Sequence, residues 1–313
     1  MEKLIRRIIE RNNPTVVGLD PTLDYIPAQV KAEAFAEYGK TLRGAAHAYL
    51  TYNKAIIDAI CDVVPAVKPQ CAYYELLGWE GVKCLAETIS YAQEKGMYVI
   101  TDGKRNDIGS TMQAYAAAHL GEIEIEGERC VPFGGDALTV NGYLGTDGIK
   151  PLLEVIGNDP DKGIFVLVKT SNPSSGELQD RKLGENETVY AAMGDMCERW
   201  GAGKIGRYGY SKVGAVVGAT YPAQLSELRA RLPHTFFLVP GYGAQGGGAK
   251  DVAGAFDQNG LGGIVNSSRA VLTAWKKTGG DGRDFAQAAR AEAIRMRDDI
   301  TSAIPPIHSP AGI

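Results

Sequence analysis

The chain has 313 residues, 44% of them hydrophobic and 22% charged, which is ordinary for a globular protein with a sizeable core. Its net charge of −4 argues against a nucleic-acid backbone as the partner, although a local basic pocket is compatible with that charge. No stretch approaches the roughly 18 consecutive apolar residues of a transmembrane helix, so we expect no membrane partner.

Residues 1–10 alternate charged and bulky apolar side chains, which predicts a short amphipathic helix. They lack the apolar central block of a secretory signal. The five cysteines are scattered and form no CxxC motif. Free thiols in a reducing compartment fit this pattern better than a disulfide framework, so we expect a cytoplasmic protein.

Eight short apolar runs recur along the chain, each followed by a longer segment with helical periodicity. The runs lie at residues 15–19, 63–68, 97–101, 136–140, 164–169, 212–217, 235–239 and 262–266. Near-continuous hydrophobic strands are typical of a parallel sheet that is buried on both faces. Eight strand–helix units close a barrel, so we predict an α/β protein with the (β/α)8 TIM-barrel fold.

Several connecting segments predict helices. Residues 72–95 and 108–120 are apolar at helical spacing and end before a glycine, and residues 283–300 carry alternating charges. The connection between the first two strands is about two helices long. We predict a single barrel domain at residues 1–303 and a C-terminal tail at residues 304–313, where the sequence is rich in proline.

The competing architecture is a doubly wound sheet, which would concentrate polar residues at one switch point. Here polar residues follow the strands from early to late in the chain: Asp20, Lys68, Asp102 with Lys104, Asn141, Lys169 to Ser171, Ala219-Thr220, Gly241 to Gly248, and Asn266 to Arg269. Strand C-terminal ends form one face of a TIM barrel, where active sites lie. The pattern therefore favours the barrel and predicts a ring of charged residues on that face.

The third predicted strand carries the densest group of charges. Asp102 and Lys104 are two residues apart and lie on the same side of an extended chain, and Asp107 follows at the next helix start. A structural alternative stays open, because Asp107 could be an N-cap. Asp20 could likewise only start a turn, and Lys68 could be a solvated strand end.

The segment from Asp102 to Thr111, DGKRNDIGST, resembles the Asp-x-Lys-x-x-Asp-Ile-x-x-Thr signature of the orotidine 5′-monophosphate decarboxylase family. The resemblance covers nearly the whole chain, because other family motifs follow in order: Gly18-Leu-Asp20, Lys68, Thr170-Ser-Asn-Pro173, Pro240-Gly-Tyr-Gly-Ala-Gln245-Gly-Gly and Val265-Asn-Ser-Ser-Arg269. The stretch at 171–180 is similar to the longer bacterial branch. The resemblance implies a cofactor-free carboxy-lyase of de novo pyrimidine biosynthesis, which converts orotidine 5′-monophosphate to uridine 5′-monophosphate and carbon dioxide.

The resemblance also implies roles for the charged residues. Asp102, Lys104 and Asp107 would form a catalytic charge array, in which Asp102 faces the substrate carboxylate and Lys104 delivers the proton to the pyrimidine carbon. Lys68, also catalytic, would connect this array to the ribose. The residues themselves support such chemistry, because an ammonium held by carboxylates keeps its proton and stands where negative charge develops.

The remaining roles concern binding and assembly. By resemblance, Asp20 would take a ribose hydroxyl, Ser171 would read the pyrimidine edge, and Gln245 with Arg269 would hold the phosphate. The family's active site also takes residues from a neighbouring subunit, which implies a homodimer with a shared active site; the residues that would cross are Asp107, Ile108 and Thr111.

The glycine-rich loop at 241–248 offers backbone N–H groups to a phosphate, and Arg269 adds a bidentate donor. The loop also matches the GxGxxG motif, but it lies in the seventh strand–helix unit, and no acidic residue stands at the end of the following strand. Both facts disfavour a dinucleotide cofactor.

Two alternative functions stay open. Metal-dependent sugar-phosphate decarboxylases or aldolases of the same superfamily share the third-strand motif but place a glutamate on the second strand to hold magnesium. Lys68 stands there instead, so we expect no metal. A non-catalytic barrel that binds a phosphate ligand is the other alternative, although a mere binder has no need of a proton donor among acids.

Overall fold

The computed structural model describes residues 1–185, 187–243 and 247–313. The strands are β1 Thr15–Leu19, β2 Ala66–Pro69, β3 Tyr98–Arg105, β4 Ile123–Ile125, β5 Glu128–Cys130, β6 Ala137–Val140, β7 Gly163–Lys169, β8 Val213–Val217, β9 Phe237–Val239 and β10 Gly263–Ser267. Among the described residues, eight parallel strands close a barrel in the order β1-β10-β9-β8-β7-β6-β3-β2. The predicted TIM barrel is confirmed, and the doubly wound alternative is excluded.

Helices cover the outside of the barrel and one precedes its first strand. They are α1 Glu2–Arg11, α2 Ala28–Tyr38, α3 Leu42–Ile60, α4 Cys71–Glu75, α5 Gly78–Glu94, α6 Gly109–Leu120, α7 Thr146–Ile156, α8 Val189–Gly201, α9 Pro222–Arg231, α10 Ala249–Val252, α11 Arg269–Leu272 and α12 Phe285–Thr301. No helix in the described part of the chain is both long and apolar enough to cross a membrane.

Strand β3 shows why the sequences of the barrel strands are nearly continuous apolar runs. Tyr98 and Ile100 belong to the buried cluster inside the barrel, whereas Val99 between them packs in the cluster beneath α3 and α5. Successive side chains of a strand point to opposite faces, and both faces of this sheet are covered. Strand positions of the barrel are therefore mostly apolar except where the strand opens onto the site, and Thr101 on β3 is a buried exception.

Two local predictions need correction. The segment predicted as one helix at 72–95 is broken into α4 and α5, because Gly78 adopts a left-handed φ of 62° that ends the first helix and starts the second. The antiparallel pair β4–β5 was missed. The sequence contains a pattern typical of this hairpin, because isoleucine and glutamate alternate in the first strand. Glu126-Gly127 forms the turn, and both residues have positive φ values.

The C-terminal residues 304–313 contain no helix or strand. The backbone N–H of His308 nevertheless donates to the carbonyl of Asn259 at 3.1 Å, so this segment lies against the barrel.

Candidate active site

Two adjoining cavities, of about 570 Å³ and about 410 Å³, open at the C-terminal ends of the barrel strands. Lys68, Asp102 and Pro240 line both cavities. Asp20 and Arg269 line only the larger cavity, whose other walls come from the end of β10 and from the segments that follow β1, β2, β9 and β10. The smaller cavity takes its remaining polar lining from Lys104, Thr139, Thr170, Ser171, Asn172 and Gln179.

Asp102 is the centre of the charged group between the cavities. Its Oδ2 accepts a hydrogen bond from Lys68 Nζ at 2.7 Å. Its Oδ1 accepts from Lys104 Nζ and from Thr139 Oγ1, both also at 2.7 Å. Asp102 and Lys68 are buried, whereas the side chain of Lys104 is 47% exposed. Lys104 is therefore the member of the group that is most accessible to solvent or a ligand.

The charges of this group stabilise one another. Burial alone would raise the pKa of Asp102, but the neighbouring ammonium groups of Lys68 and Lys104 outweigh it and hold the pKa well below its usual range. Burial likewise opposes the charged form of Lys68, yet Asp102 and Asp20 raise its pKa above the usual value. At neutral pH, Asp102 is therefore an anion and Lys68 a cation.

A bulge in β3 presents Lys104 to the site. Thr101 pairs with Leu138 and Arg105 pairs with Val140, so four steps along β3 match two steps along β6. Lys104 has a left-handed φ of 47°, which costs a residue other than glycine about 1–2 kcal/mol. Such strain persists only where neighbouring contacts enforce it.

Thr139, a residue that the sequence analysis did not single out, supplies one of those contacts. Its Oγ1 accepts the backbone N–H of Lys104 at 3.0 Å and donates to Asp102. Arg105 supplies another contact, because its guanidinium donates to the carbonyl of Gly103 at 2.8 Å and pairs with Glu75. The available signal for Thr139 was a lone hydroxyl in an otherwise apolar stretch of β6.

Asp20 and Arg269 are brought together by the contact between β1 and β10. A Cβ on Gly18 would lie 1.8 Å from the Oγ of Ser268, so only glycine at position 18 allows β1 to approach the end of β10 this closely. Asp20 Oδ1 is buried and has no hydrogen-bond partner within residues 1–185, 187–243 and 247–313. Arg269 is exposed at the start of α11. The predicted phosphate ligand Gln245 lies outside the described residues.

Ser171 follows β7 and lines the smaller cavity, as the prediction requires. The loop behind it is held by Gln179, whose Oε1 accepts the backbone N–H of Thr170 at 2.9 Å and whose Nε2 donates to Thr170 Oγ1 at 2.7 Å.

Lys169 does not belong to the charged ring, so this part of the prediction is wrong. An irregularity between Leu167 and Lys169 shifts the register of β7 against β8 and re-aims the side chain. Lys169 Nζ is buried beneath the next loop, 2.7 Å from Asp180 Oδ1, 3.2 Å from Ser175 Oγ and 4.3 Å from the centre of the Tyr221 ring. It anchors the loop from below. Asn141, also predicted for the ring, lines neither cavity; it is exposed, and its Oδ1 accepts the N–H of Tyr143.

Asp107, Ile108 and Thr111 lie outside both cavities of their own chain. Helix α6 begins at Gly109 with Ile108 at the N-cap, so Asp107 is not the N-cap; its Oδ1 accepts the N–H of Ile108 at 2.8 Å. Ile108 is 51% exposed. It is one of six exposed apolar residues that lie between β2 and the first turn of α5, at the start and in the middle of α6, and after β6. These residues, here called the rim patch, are Leu76, Trp79, Ile108, Tyr115, Tyr143 and Leu144.

No group of three or more His, Cys, Asp or Glu side chains that could hold a metal ion is found in the described ranges.

Comparison with known proteins gave consistent matches. The model of the orotidine 5′-phosphate decarboxylase/HUMPS family matches residues 16–279. The chain is 46% identical to the orotidine 5′-phosphate decarboxylase of Rhodopirellula baltica over 297 residues, which cover 94% of this chain and 96% of that protein. It is 43% identical to the enzyme of the same name from Clostridium perfringens strain 13, with 97% and 98% covered. Among solved structures, a putative orotidine 5′-phosphate decarboxylase from Streptomyces avermitilis superposes with a TM-score of 0.74 at 33% identity, covering 96% of this chain and 94% of that one.

Proposed function

This chain belongs to the orotidine 5′-phosphate decarboxylase/HUMPS family, and on that premise we propose that it decarboxylates orotidine 5′-monophosphate to uridine 5′-monophosphate and carbon dioxide. The reaction would serve de novo pyrimidine biosynthesis. The observation that carries the proposal is the buried carboxylate of Asp102, held between the ammonium groups of Lys68 and Lys104 where two cavities meet.

In this proposal Lys104 is the proton donor. Loss of carbon dioxide leaves negative charge on a ring carbon, and an ammonium already oriented toward that carbon stabilises the charge without reorganising. Lys104 suits the role because Asp102 fixes its Nζ while nearly half of its side chain is accessible. The same ammonium can then transfer its proton to the carbon.

Asp102 would act by repulsion against the substrate carboxylate. At a separation of roughly 4 Å and an effective dielectric near 20, two like charges repel by about 4 kcal/mol. Such an energy corresponds to about a thousandfold in rate. Spontaneous decarboxylation of an unactivated ring requires a much larger acceleration, so most of it must come from Lys104 and from binding energy at the phosphate.

The larger cavity would hold the ribose phosphate. Asp20, with its unpartnered buried oxygen, would accept a ribose hydroxyl, and Arg269 at the start of α11 would bind the phosphate together with Gln245. Ser171 in the smaller cavity would then read the pyrimidine edge. The two cavities share Lys68 and Asp102, so a nucleotide that spans both brings its base to the charged group.

We further propose that the enzyme is a homodimer with a shared active site. The rim patch exposes apolar side chains from the segments that follow β2, β3 and β6, at the same end of the barrel as the site, which is the composition expected of a surface covered by protein. Asp107, Ile108 and Thr111 follow β3 and line neither cavity of their own chain, so a second copy docked on the patch would receive them.

Two smaller proposals accompany this function. All five cysteines, each within the described residues, are free thiols, which supports a cytoplasmic location. Residues 1–303 would form the catalytic barrel and residues 304–313 an appended tail. A chain truncated after residue 303 should retain wild-type kcat, and a large loss of kcat would make the tail part of the catalytic domain.

The direct test is ultraviolet monitoring of orotidine 5′-monophosphate with purified protein, with and without a chelator of divalent metals. We expect equal conversion to uridine 5′-monophosphate in both samples. Activity that vanished on chelation would favour the metal-dependent sugar-phosphate enzymes, although Lys68 on β2 disfavours a cation there. Nucleotide binding without turnover would favour a non-catalytic barrel. Lys104→Ala protein purified identically controls for contaminating host enzyme.

A further inference from the structure

We propose that Thr139 is a positioning residue for Lys104, whose hydroxyl holds the β3 bulge in the conformation that presents the proton donor. The inference rests on the proposed decarboxylase function and adds a residue to it. Thr139 is 1% exposed and lines the smaller cavity beside Lys104 and Asp102.

The geometry of the bulge makes a side-chain acceptor necessary. Between the pairs Thr101–Leu138 and Arg105–Val140, the residues 102–104 of β3 face only Thr139 on β6. The backbone N–H of Lys104 therefore has no ladder carbonyl opposite it and donates instead to Thr139 Oγ1 at 3.0 Å. A side chain without an acceptor would leave this N–H unpaired beside the cavity.

The hydroxyl of Thr139 links both ends of the Lys104 residue. A hydroxyl has one proton, and here that proton goes to Asp102 Oδ1, which leaves its lone pairs for the N–H of Lys104. Lys104 Nζ donates a hydrogen bond to the same Oδ1 atom at 2.7 Å. The backbone and the ammonium of Lys104 are thus tied to one carboxylate oxygen through a closed ring of hydrogen bonds. This ring fixes where the ammonium lies relative to the ring carbon of a bound pyrimidine.

The test compares Thr139→Val, which keeps the shape and removes the hydroxyl, with Thr139→Ser, which keeps the hydroxyl. For orotidine 5′-monophosphate we expect Thr139→Val to lower kcat roughly ten- to a hundredfold, as loss of one hydrogen bond to a charged group does, with KM changed less than about threefold. Thr139→Ser should stay within about threefold of wild-type kcat, because a serine hydroxyl can form both bonds. The affinity for uridine 5′-monophosphate should be unchanged in both variants.

Thr101→Val is the matched control. Thr101 is a fully buried threonine on β3, and its Oγ1 has no hydrogen-bond partner in the described part of the chain, so loss of its hydroxyl should leave kcat at the wild-type value. If Thr139→Val does not fold, Thr139→Ala takes its place in the comparison with Thr139→Ser.

The outcomes distinguish a failure of the decarboxylase function from a failure of the role of Thr139. A wild-type enzyme without turnover would overturn the decarboxylase function itself. An active wild type would instead overturn the role of Thr139 if Thr139→Val matched it, if Thr139→Ser lost as much activity as Thr139→Val, or if only KM changed.

Discussion

Lys68 and Asp102 form an ion pair with an Nζ–Oδ2 distance of 2.7 Å, and their side chains are only 6% and 8% exposed. Desolvating two charges is costly unless each finds further partners. Asp102 has those partners in Lys104 and Thr139, and Lys104 has the most exposed side chain of the group. The buried pair thus serves as a rigid base on which an accessible ammonium is held.

We expect Lys104→Ala to lower kcat for orotidine 5′-monophosphate by at least about a thousandfold, because the variant lacks the proposed proton donor and, with it, the charge proposed to stabilise the carbanion. Binding of uridine 5′-monophosphate should persist, since Asp20 and Arg269 are untouched. Steady-state kinetics and titration calorimetry measure the two quantities. Lys40→Ala, at an exposed surface lysine, is the control. Near-wild-type turnover by Lys104→Ala would remove Lys104 from the mechanism.

The proposed shared active site predicts complementation. A Lys104→Ala chain and an Asp107→Ala chain, each inactive alone, should regain up to about a quarter of wild-type activity when mixed, because random exchange leaves one intact site in the half of the dimers that are mixed. Subunit exchange is verified independently with differently tagged chains. Confirmed exchange without any recovery of activity would mean that Asp107 does not serve a neighbouring site.

His119 predicts a pH dependence of stability. The ring is buried and stacks on Phe133 with centroids 4.9 Å apart, and burial lowers the pKa of His119 to about 4. An unfolded histidine has a pKa near 6.5, so between pH 4 and 6.5 the unfolded chain binds more protons and stability falls as the pH is lowered. This contribution is fully present above about pH 6.5, and roughly 3 kcal/mol of it should be lost by pH 4.5.

Urea unfolding at pH 7.5 and pH 4.5 measures this loss. His119→Leu should show a smaller decrease in unfolding free energy than the wild type, whereas His308→Gln, at an exposed histidine, should behave as the wild type does. An equal decrease in all three proteins would show that His119 is not the titrating group.

Lys169 and Asp180 predict an asymmetric pair of substitutions. Asp180→Asn leaves a fully buried ammonium without its carboxylate, whereas Lys169→Met removes the charge and leaves a 44% exposed Asp180 in contact with water. Breaking a buried pair from one side is strongly destabilising. We expect Asp180→Asn to cost about 2 kcal/mol or more of unfolding free energy, and Lys169→Met to cost less.

Chemical denaturation checks the order of the two variants. Asp281→Asn breaks an exposed ion pair with Arg283 and should change stability by less than about 1 kcal/mol. A larger loss in Lys169→Met than in Asp180→Asn would mean that packing of the lysine stem, and not its charge, stabilises the loop.

The sequence alone determined the barrel and the residues available for chemistry. Periodicity is a local property, so eight buried strands could be recognised from runs of apolar residues. The order of polar residues after those strands also predicted that Asp20, Lys68, Asp102, Lys104, Ser171 and Arg269 would meet on one face. The structure brings these residues to the two cavities.

Only the tertiary structure decided which way each side chain points. The register shift in β7 turns Lys169 away from the site, and the bulge in β3 turns Lys104 toward it, although both lysines lie at or just after the end of an apolar run in the sequence. Thr139 matters only because it faces that bulge from the neighbouring strand. Strand register depends on contacts between segments that are distant in the chain, and no local pattern of residues contains that information.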